Sequence, residues 1–188
     1  MNEGERPVMK GSPPLCSRPY RTPWGVGVVL VRRGSLAAVE LPDLQGGQRS
    51  IANVAVCQEP SASSEDLDAA ARWAAALEAY FRGERLTWAL EEVPLAHLGL
   101  GTFQRTVYEA LLAVPPATTV SYGELALLAG HPRAARAVGS ALAANPIPVV
   151  IPCHRVIKAD GSMGRYGNDP AWKPLLLTHE ATHRGGGS

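Results

Sequence analysis

"VSYGELALLAGHPRAARAVGSALAAN", residues 120–145, reads as two short helices joined by a tight turn. Ser121 and Glu124 stand at capping-box spacing, so each side chain can bond the other residue's free backbone N–H. Gly130 follows the last apolar residue, a position where helices commonly turn left-handed and stop. Pro132 suits the first turn of a second helix. Asn145 ends that helix, because Pro146 disfavours helical backbone in the residue before it. Two short helices around a glycine-containing turn are the pattern of a helix-turn-helix.

The second helix is unusually slender. Ala135, Gly139, Ser140 and further alanines leave Val138 and Leu142 as its bulky apolar residues. Arg133 and Arg136 both stand near its N-terminal end, where the helix dipole and free N–H groups favour phosphate. Small side chains with a lone arginine suit a narrow groove. The alternative is a small helix packed inside a domain with two solvated arginines, since Ala is also the best helix former.

Downstream lies "IPVVIPCHRVI", residues 147–157. A polar Cys153-His154-Arg155 triplet interrupts an apolar, proline-stiffened segment. A thiol becomes a nucleophile as the thiolate, which a neighbouring base or cation favours. Side chains at adjacent positions diverge, so a group that orients His154 must come from elsewhere. His179 and Glu180 in "LLLTHE", on a helix starting near Pro170, are the candidates. An inert buried cysteine is the competing reading.

Upstream, residues 1–23 contain five prolines and read as an irregular arm. "WGVGVVLVRRGSLAAVEL" reads as two strands around a turn at Arg33-Gly34-Ser35, and "IANVAVC" as a third strand. "SSEDLDAAARWAAALEAYFRGE" is the strongest helix, capped by Ser63 or Ser64 and ended by Gly83. Its expected core face is Leu67, Ala70, Ala71, Ala74, Leu77 and Phe81. In "TFQRTVYEALLAV" Thr102 is the expected N-cap, with Phe103, Val107 and Leu111 as the apolar stripe. The expected organisation is an N-terminal α/β domain over 1–92, a connector at 93–101, a helical domain over 102–182 and a tail at 183–188.

The chain has 188 residues, 46% hydrophobic, with a net charge of +1, so any nucleic-acid surface is a local patch. Residues 1–100 carry 10 Lys+Arg against 12 Asp+Glu; residues 101–188 carry 8 against 5, so the positive excess lies in the half that holds Cys153. Three cysteines at wide spacing make a poor disulfide framework, and Cys16 and Cys57 read as structural thiols without a metal role. No apolar run is long enough to span a membrane. The N-terminus lacks the apolar segment of a signal peptide. A soluble protein in a reducing, intracellular setting is the expectation.

The segment "VSYGELALLAGHPRAARAVGSALAANPIPVVIPCHRVI" closely resembles the O6-alkylguanine-DNA alkyltransferases, also called methylated-DNA–protein-cysteine methyltransferases. "TFQRTVYEALLAV", "GSMGRYG" and "LLLTHE" resemble other segments of their catalytic domain. The likeness runs from about Phe103 to Glu180. It implies an α+β fold: a small ribonuclease-H-like sheet-plus-helix domain, then a mainly helical, winged helix-turn-helix domain. It implies a DNA repair protein that acts once, without cofactor or metal. Such a protein flips O6-alkylguanine out of double-stranded DNA from the minor groove and moves the alkyl group irreversibly to Cys153. His154, with a water and Glu180, would take the thiol proton. Asn145 would be a hinge. Tyr122 would crowd the 3′ phosphate, and its hydroxyl or that of Tyr166 would serve the departing guanine. Arg136 would fill the vacated stack. Arg133, Ala135, Gly139 and Ser140 would also meet DNA, and Tyr166, Val156, Gly164 and Asn145 would line the pocket. The resemblance implies a monomer with no membrane and no obligate protein partner, cytoplasmic, or nuclear in a eukaryote.

Asn168, Asp169 and Pro170 depart from the Gly-rich, more basic loop common in that family. Three other readings compete: a non-catalytic sensor of alkylated bases, a cysteine hydrolase using Cys153, His154 and Glu180, and a plain helix-turn-helix regulator.

Overall fold

A computed structural model describes residues 15–44, 63–164, 166–167 and 169–184. Three antiparallel strands open it: β1 Cys16–Thr22, β2 Gly25–Arg32 and β3 Ser35–Glu40, in the order β1-β2-β3. Arg33 and Gly34 have φ of 52° and 71°, so β2 and β3 are joined by a two-residue turn with both residues left-handed. That turn matches the right-handed twist of a hairpin. The predicted third strand, residues 51–57, lies outside the described residues.

β1 corrects the expectation of an irregular arm. Pro19 sits opposite Val28 at the edge of the sheet, where a residue without an N–H is tolerated. Cys16 and Tyr20 point into the core. Cys16 is also held in a disulfide, against the expectation of a structural thiol. Wide sequence spacing is no obstacle to pairing once the fold sets the distance.

Helix α1, Ser64–Phe81, packs across β1 and β2. The Ser63 hydroxyl accepts from the Asp66 N–H as the cap, and Gly83, with φ of 76°, ends the helix as expected. Its buried face is Ala69, Ala70, Ala74, Leu77, Tyr80 and Phe81. Leu67 is exposed and Ala71 only half-buried, because the first turn overhangs the sheet.

Gly27 explains how Tyr20 lies flat across β2. A Cβ at Gly27 would stand 2.3 Å from the Tyr20 ring and 2.6 Å from the Glu40 carbonyl oxygen. The Tyr20 hydroxyl donates to that same carbonyl at 3.0 Å. Gly27→Ala is therefore expected to cost about 1–3 kcal/mol as overpacking, read as a lower urea midpoint at unchanged m-value.

Two 3-10 turns, Leu90–Glu92 and Leu95–His97, connect to the second part. There α2 Thr102–Leu112, α3 Tyr122–Leu128 and α4 Ala135–Ala143 pack on one another. The N-cap of α2 is Gly101 rather than Thr102, which already lies inside the helix. Helix α4 begins at Ala135, later than Pro132 suggested, because Arg133 takes a left-handed φ of 75° that no α-helix can include. The Ser121–Glu124 capping box and the left-handed Gly130 are present as read. Strand β4, Val120–Ser121, pairs in parallel with β5, Val156–Ile157. That pair sets the start of α3 beside the cysteine segment. Helix α5, Trp172–His183, packs against the Cys153–Arg155 turn.

The two parts share one core. The Val39 N–H donates to the Pro146 carbonyl at 2.9 Å, and the Trp172 indole donates to the Pro42 carbonyl at 2.9 Å. Among the described residues no helix is long and apolar enough to cross a membrane.

Candidate active site

Cys153 opens a single 3-10 turn, Cys153–Arg155, that follows Pro152. The approach to it is strained. Val149 is fully buried with φ of 75°, a conformation that costs a β-branched residue about 1–3 kcal/mol. Asn145 holds this bend in place. Its Oδ1 accepts from the Ile147 N–H at 3.0 Å, and its Nδ2 donates to the Ile151 carbonyl at 2.9 Å and to Cys153 Sγ at 3.2 Å. One side chain thus ties the end of α4 to the sulfur.

His154 and Arg155 turn away from the cavity into the core, where both meet Glu180 of α5. His154 Nε2 lies 2.8 Å from Glu180 Oε1. Arg155 Nη2 donates to Oε1 at 2.7 Å and Nε to Oε2 at 3.1 Å. The Tyr80 hydroxyl donates to Oε1 at 3.0 Å and the Ala117 N–H to Oε2 at 2.8 Å. Arg155 also donates to the Val114 carbonyl at 2.6 Å and the Leu86 carbonyl at 2.8 Å. Burial alone would raise the Glu180 pKa. The His154 hydrogen bond and the Arg155 charge overcome that and bring it down to about 2.

This assigns the histidine tautomer. An ionised carboxylate only accepts, so Nε2 must carry the proton and Nδ1 must be bare. Nδ1 is buried and has no hydrogen-bond partner among the described residues. Burial pulls the His154 pKa below its ordinary value against the opposing pull of Glu180, which favours the neutral ring. His179, the other candidate orienter, instead meets the Tyr80 carbonyl through Nε2 at 2.8 Å.

Burial works against a thiolate at Cys153. It pushes the Cys153 thiol up, and the Asn145 hydrogen bond and the Lys173 charge only partly offset this. Adjacency of imidazole to thiol has that burial to overcome.

A cavity of about 800 Å³ reaches Cys153 from the α3–α4 side, with Tyr122, Gly139, Lys158, Gly164 and Tyr166 in its wall. Tyr122 rises between α4 and the Gly164 turn. A Cβ at Gly139 would touch its ring at 3.8 Å, and one at Gly164 would stand 3.2 Å from its hydroxyl. Tyr166 is buried and its hydroxyl has no hydrogen-bond partner among the described residues. Burial, then the Cys153 charge, raises its pKa. A second cavity, about 440 Å³, also reaches Cys153 and shares Leu142, Ala143, Tyr166 and Gly167 with the first.

The fold therefore brings Cys153 and Tyr166 to both cavities, with Asn145 on the smaller and Tyr122 and Gly164 on the larger, while His154 and Glu180 pair in the core. Val156 is fully buried in β5, outside the described lining of both cavities. Arg136 and Ser140 are exposed on α4, Ala135 is half-buried at its start, and Arg133 is exposed in the turn before it. Sequence reasoning missed Lys173 and Tyr80. Lys173 is almost fully buried, donates to the Met163 carbonyl and places Nζ 5.9 Å from the Tyr122 ring centre. Its signal was a lone cation in the apolar run "AWKPLLL". Tyr80 carried no signal beyond helical periodicity.

Residues 102–182 match the family described as 6-O-methylguanine DNA methyltransferase, DNA binding domain. A solved structure of Mycobacterium tuberculosis OGT in complex with DNA is 34% identical, with a TM-score of 0.65, and the match covers 89% of this chain and 93% of that one. The chain belongs to the O6-methylguanine-DNA methyltransferase family. The archaeal member from Pyrococcus kodakaraensis is 26% identical with a TM-score of 0.64, covering 88% of this chain and 98% of that one. The mouse methylated-DNA–protein-cysteine methyltransferase is 46% identical over 116 residues, which is 58% of this chain and 54% of the mouse protein. The Mycobacterium leprae protein of that name is 48% identical over 106 residues, 55% of this chain and 61% of its own length. The chain spans about half the length of the curated relatives it matches. Family membership and the mixed α+β fold thus agree with the site built above.

Proposed function

We propose that this methyltransferase-family chain repairs DNA by moving the alkyl group of O6-alkylguanine irreversibly to its own Cys153. The observation that carries this reading is the sulfur at the meeting of two cavities, next in sequence to a buried His154 whose Nδ1 is unbonded among the described residues and whose Nε2 meets the Glu180 carboxylate. O6 of guanine is reached only when the base leaves the stack. The base would then enter the α3–α4 cavity beside Tyr122 and Tyr166. The thiol proton passes to His154 Nδ1 by way of a water while Nε2 keeps its bond to Glu180. The sulfur forms a bond to the alkyl carbon and the carbon–O6 bond breaks. Guanine departs with a proton from a tyrosine hydroxyl, Tyr122 or Tyr166. The thioether has no easy route back, so each molecule acts once.

In this reading α3 and α4 form a helix-turn-helix, and α4 lies in the minor groove with Arg136 entering the vacated stack. Arg133, Ala135, Gly139 and Ser140 would meet the backbone around it. Residues 1–92 would be a ribonuclease-H-like domain, 93–101 its connector and 102–182 the catalytic domain, with α5 running one residue past that boundary. The protein would work as a monomer wherever the genome is, in cytoplasm or nucleus, without cofactor.

The test is the intact mass after incubation with a duplex containing O6-methylguanine. One methyl per protein with a stoichiometric end point supports the reading. Tight binding with no mass change would make the chain a sensor, and repeated turnover a hydrolase. Arg136→Ala is expected to slow transfer from duplex by about tenfold or more, the scale of an unstacking step, while sparing transfer from the free base. Equal losses on both substrates would remove Arg136 from the stack.

A further inference from the structure

Three side chains converge on one oxygen of Glu180. Oε1 accepts from the Tyr80 hydroxyl at 3.0 Å and from Arg155 Nη2 at 2.7 Å, and it meets His154 Nε2 at 2.8 Å. Oε2 takes the Ala117 N–H at 2.8 Å and Arg155 Nε at 3.1 Å. A carboxylate oxygen offers about two lone-pair directions, so each donor on Oε1 weakens the hold on the other two. Arg155 balances the charge, and His154 is the ring that the carboxylate orients. The third donor, the Tyr80 hydroxyl, is neutral and comes from α1 in the N-terminal part of the chain.

Tyr80 is fully buried and held from several sides. Its ring stacks on Trp88, with centres 5.6 Å and planes 24° apart, and meets Phe81 edge-on at 5.2 Å. Its carbonyl accepts from His179 Nε2 at 2.8 Å, one residue before Glu180. The end of α1 thus grips α5 at two consecutive residues and brings the hydroxyl to the oxygen that meets the base.

When the thiol proton reaches Nδ1, His154 becomes an imidazolium and its bond to Oε1 strengthens. The gain depends on the electron density which that oxygen has left to give. We propose that Tyr80 is a positioning residue for alkyl transfer: its hydroxyl fixes Oε1 against His154 Nε2 and shares that oxygen, so the N-terminal part of the chain limits how strong a base the site presents. This inference rests on the alkyl-transfer reading above, with His154 as acceptor of the thiol proton. Losing the hydroxyl leaves more carboxylate charge for the ring, so His154 holds a proton more tightly. A stronger donor in the same place does the opposite. The other charged or titratable groups around the pair are Arg155, Lys173 and His179, with Tyr166 at 6.5 Å between ring centres and Cys153 next in the chain.

The test is the single-turnover rate of methyl transfer from a duplex carrying O6-methylguanine, followed against pH. Transfer needs a neutral His154, so the rate falls on the acid side as the ring takes a proton. Tyr80→Phe keeps the buried ring and removes only the oxygen. It is expected to move that acid limb upward by about half a pH unit or more, the scale of a hydrogen bond that favours one charge state. A ring-fluorinated tyrosine in place of Tyr80 is a more acidic phenol of nearly the same shape, and it is expected to move the limb downward. Burial raises the Tyr80 pKa well above its ordinary value, which keeps such a phenol protonated. A merely structural tyrosine would lower the urea midpoint and the rate at every pH, with the limb unmoved. If Tyr80→Phe does not fold, the fluorinated protein decides alone. A limb that stays in place in both proteins, or moves the same way in both, overturns the role of Tyr80 and leaves the alkyl-transfer reading intact. No methyl transfer by the parent at any pH overturns both.

Discussion

Arg155→Met is expected to lower folding stability by about 3–5 kcal/mol, the usual cost of removing one partner from a buried ion pair. The side chain is 2% exposed and Glu180 is fully buried, so water cannot replace the lost guanidinium. Methionine preserves much of the apolar stem, which isolates the polar loss from a cavity. The Val114 and Leu86 carbonyls lose donors together with the carboxylate. Leu86 follows α1 and Val114 follows α2, so the loss reaches both parts of the chain. Against a typical total of about 5–15 kcal/mol the change is large. Urea denaturation at constant m-value measures it. A loss under about 1 kcal/mol would mean that the network does not join the two parts.

The same group sets acid sensitivity. Glu180 titrates near 2 in the folded chain, below the ordinary 4.5. Its ionised form therefore contributes stability that is fully present above the ordinary value and is lost as pH falls toward 2. The size is on the order of 3 kcal/mol. Removing Arg155 takes away one of the charges that depress this pKa, so the loss should begin at higher pH in Arg155→Met than in the parent.

Local chemistry was legible in the sequence where one residue type decides it. Arg33-Gly34 read as part of a turn between strands, Ser121 and Glu124 as a cap and Gly130 as a helix stop, and all three are present. What escaped depended on partners distant in sequence. Pro19 argued against a strand until an edge position was available to it. Nothing in the triplet itself points to the partners of Arg155, which lie at Leu86, Val114 and Glu180. Tyr80 and Lys173 are ordinary residues on their own helices and gain meaning only where α1 and α5 meet the site. The upward push on the thiol could not be read from the triplet Cys153-His154-Arg155 for the same reason, since burial is a property of the assembled core.

Glu180→Gln should separate the chemical role of that core from its structural one. The carboxylate accepts only, which forces the proton onto His154 Nε2 and leaves Nδ1 bare for the thiol. A glutamine amide both donates and accepts, so it can stabilise the opposite tautomer, with the proton on Nδ1 and no base facing the sulfur. Transfer at neutral pH is then expected to fall by about 100-fold or more, the contribution of a positioned general base. DNA affinity should hold, because Glu180 has no exposed atoms to offer a duplex. The Cys153 thiol already sits above its ordinary value through burial, so it depends on that base near neutrality. As pH rises the thiol ionises without help, and the variant's rate should climb toward that of the parent. A merely unfolded variant would lose binding and gain nothing from alkali. A variant that transfers at neutral pH within about threefold of the parent would show that His154 does not take the thiol proton, since among the described residues no other group bonds its ring.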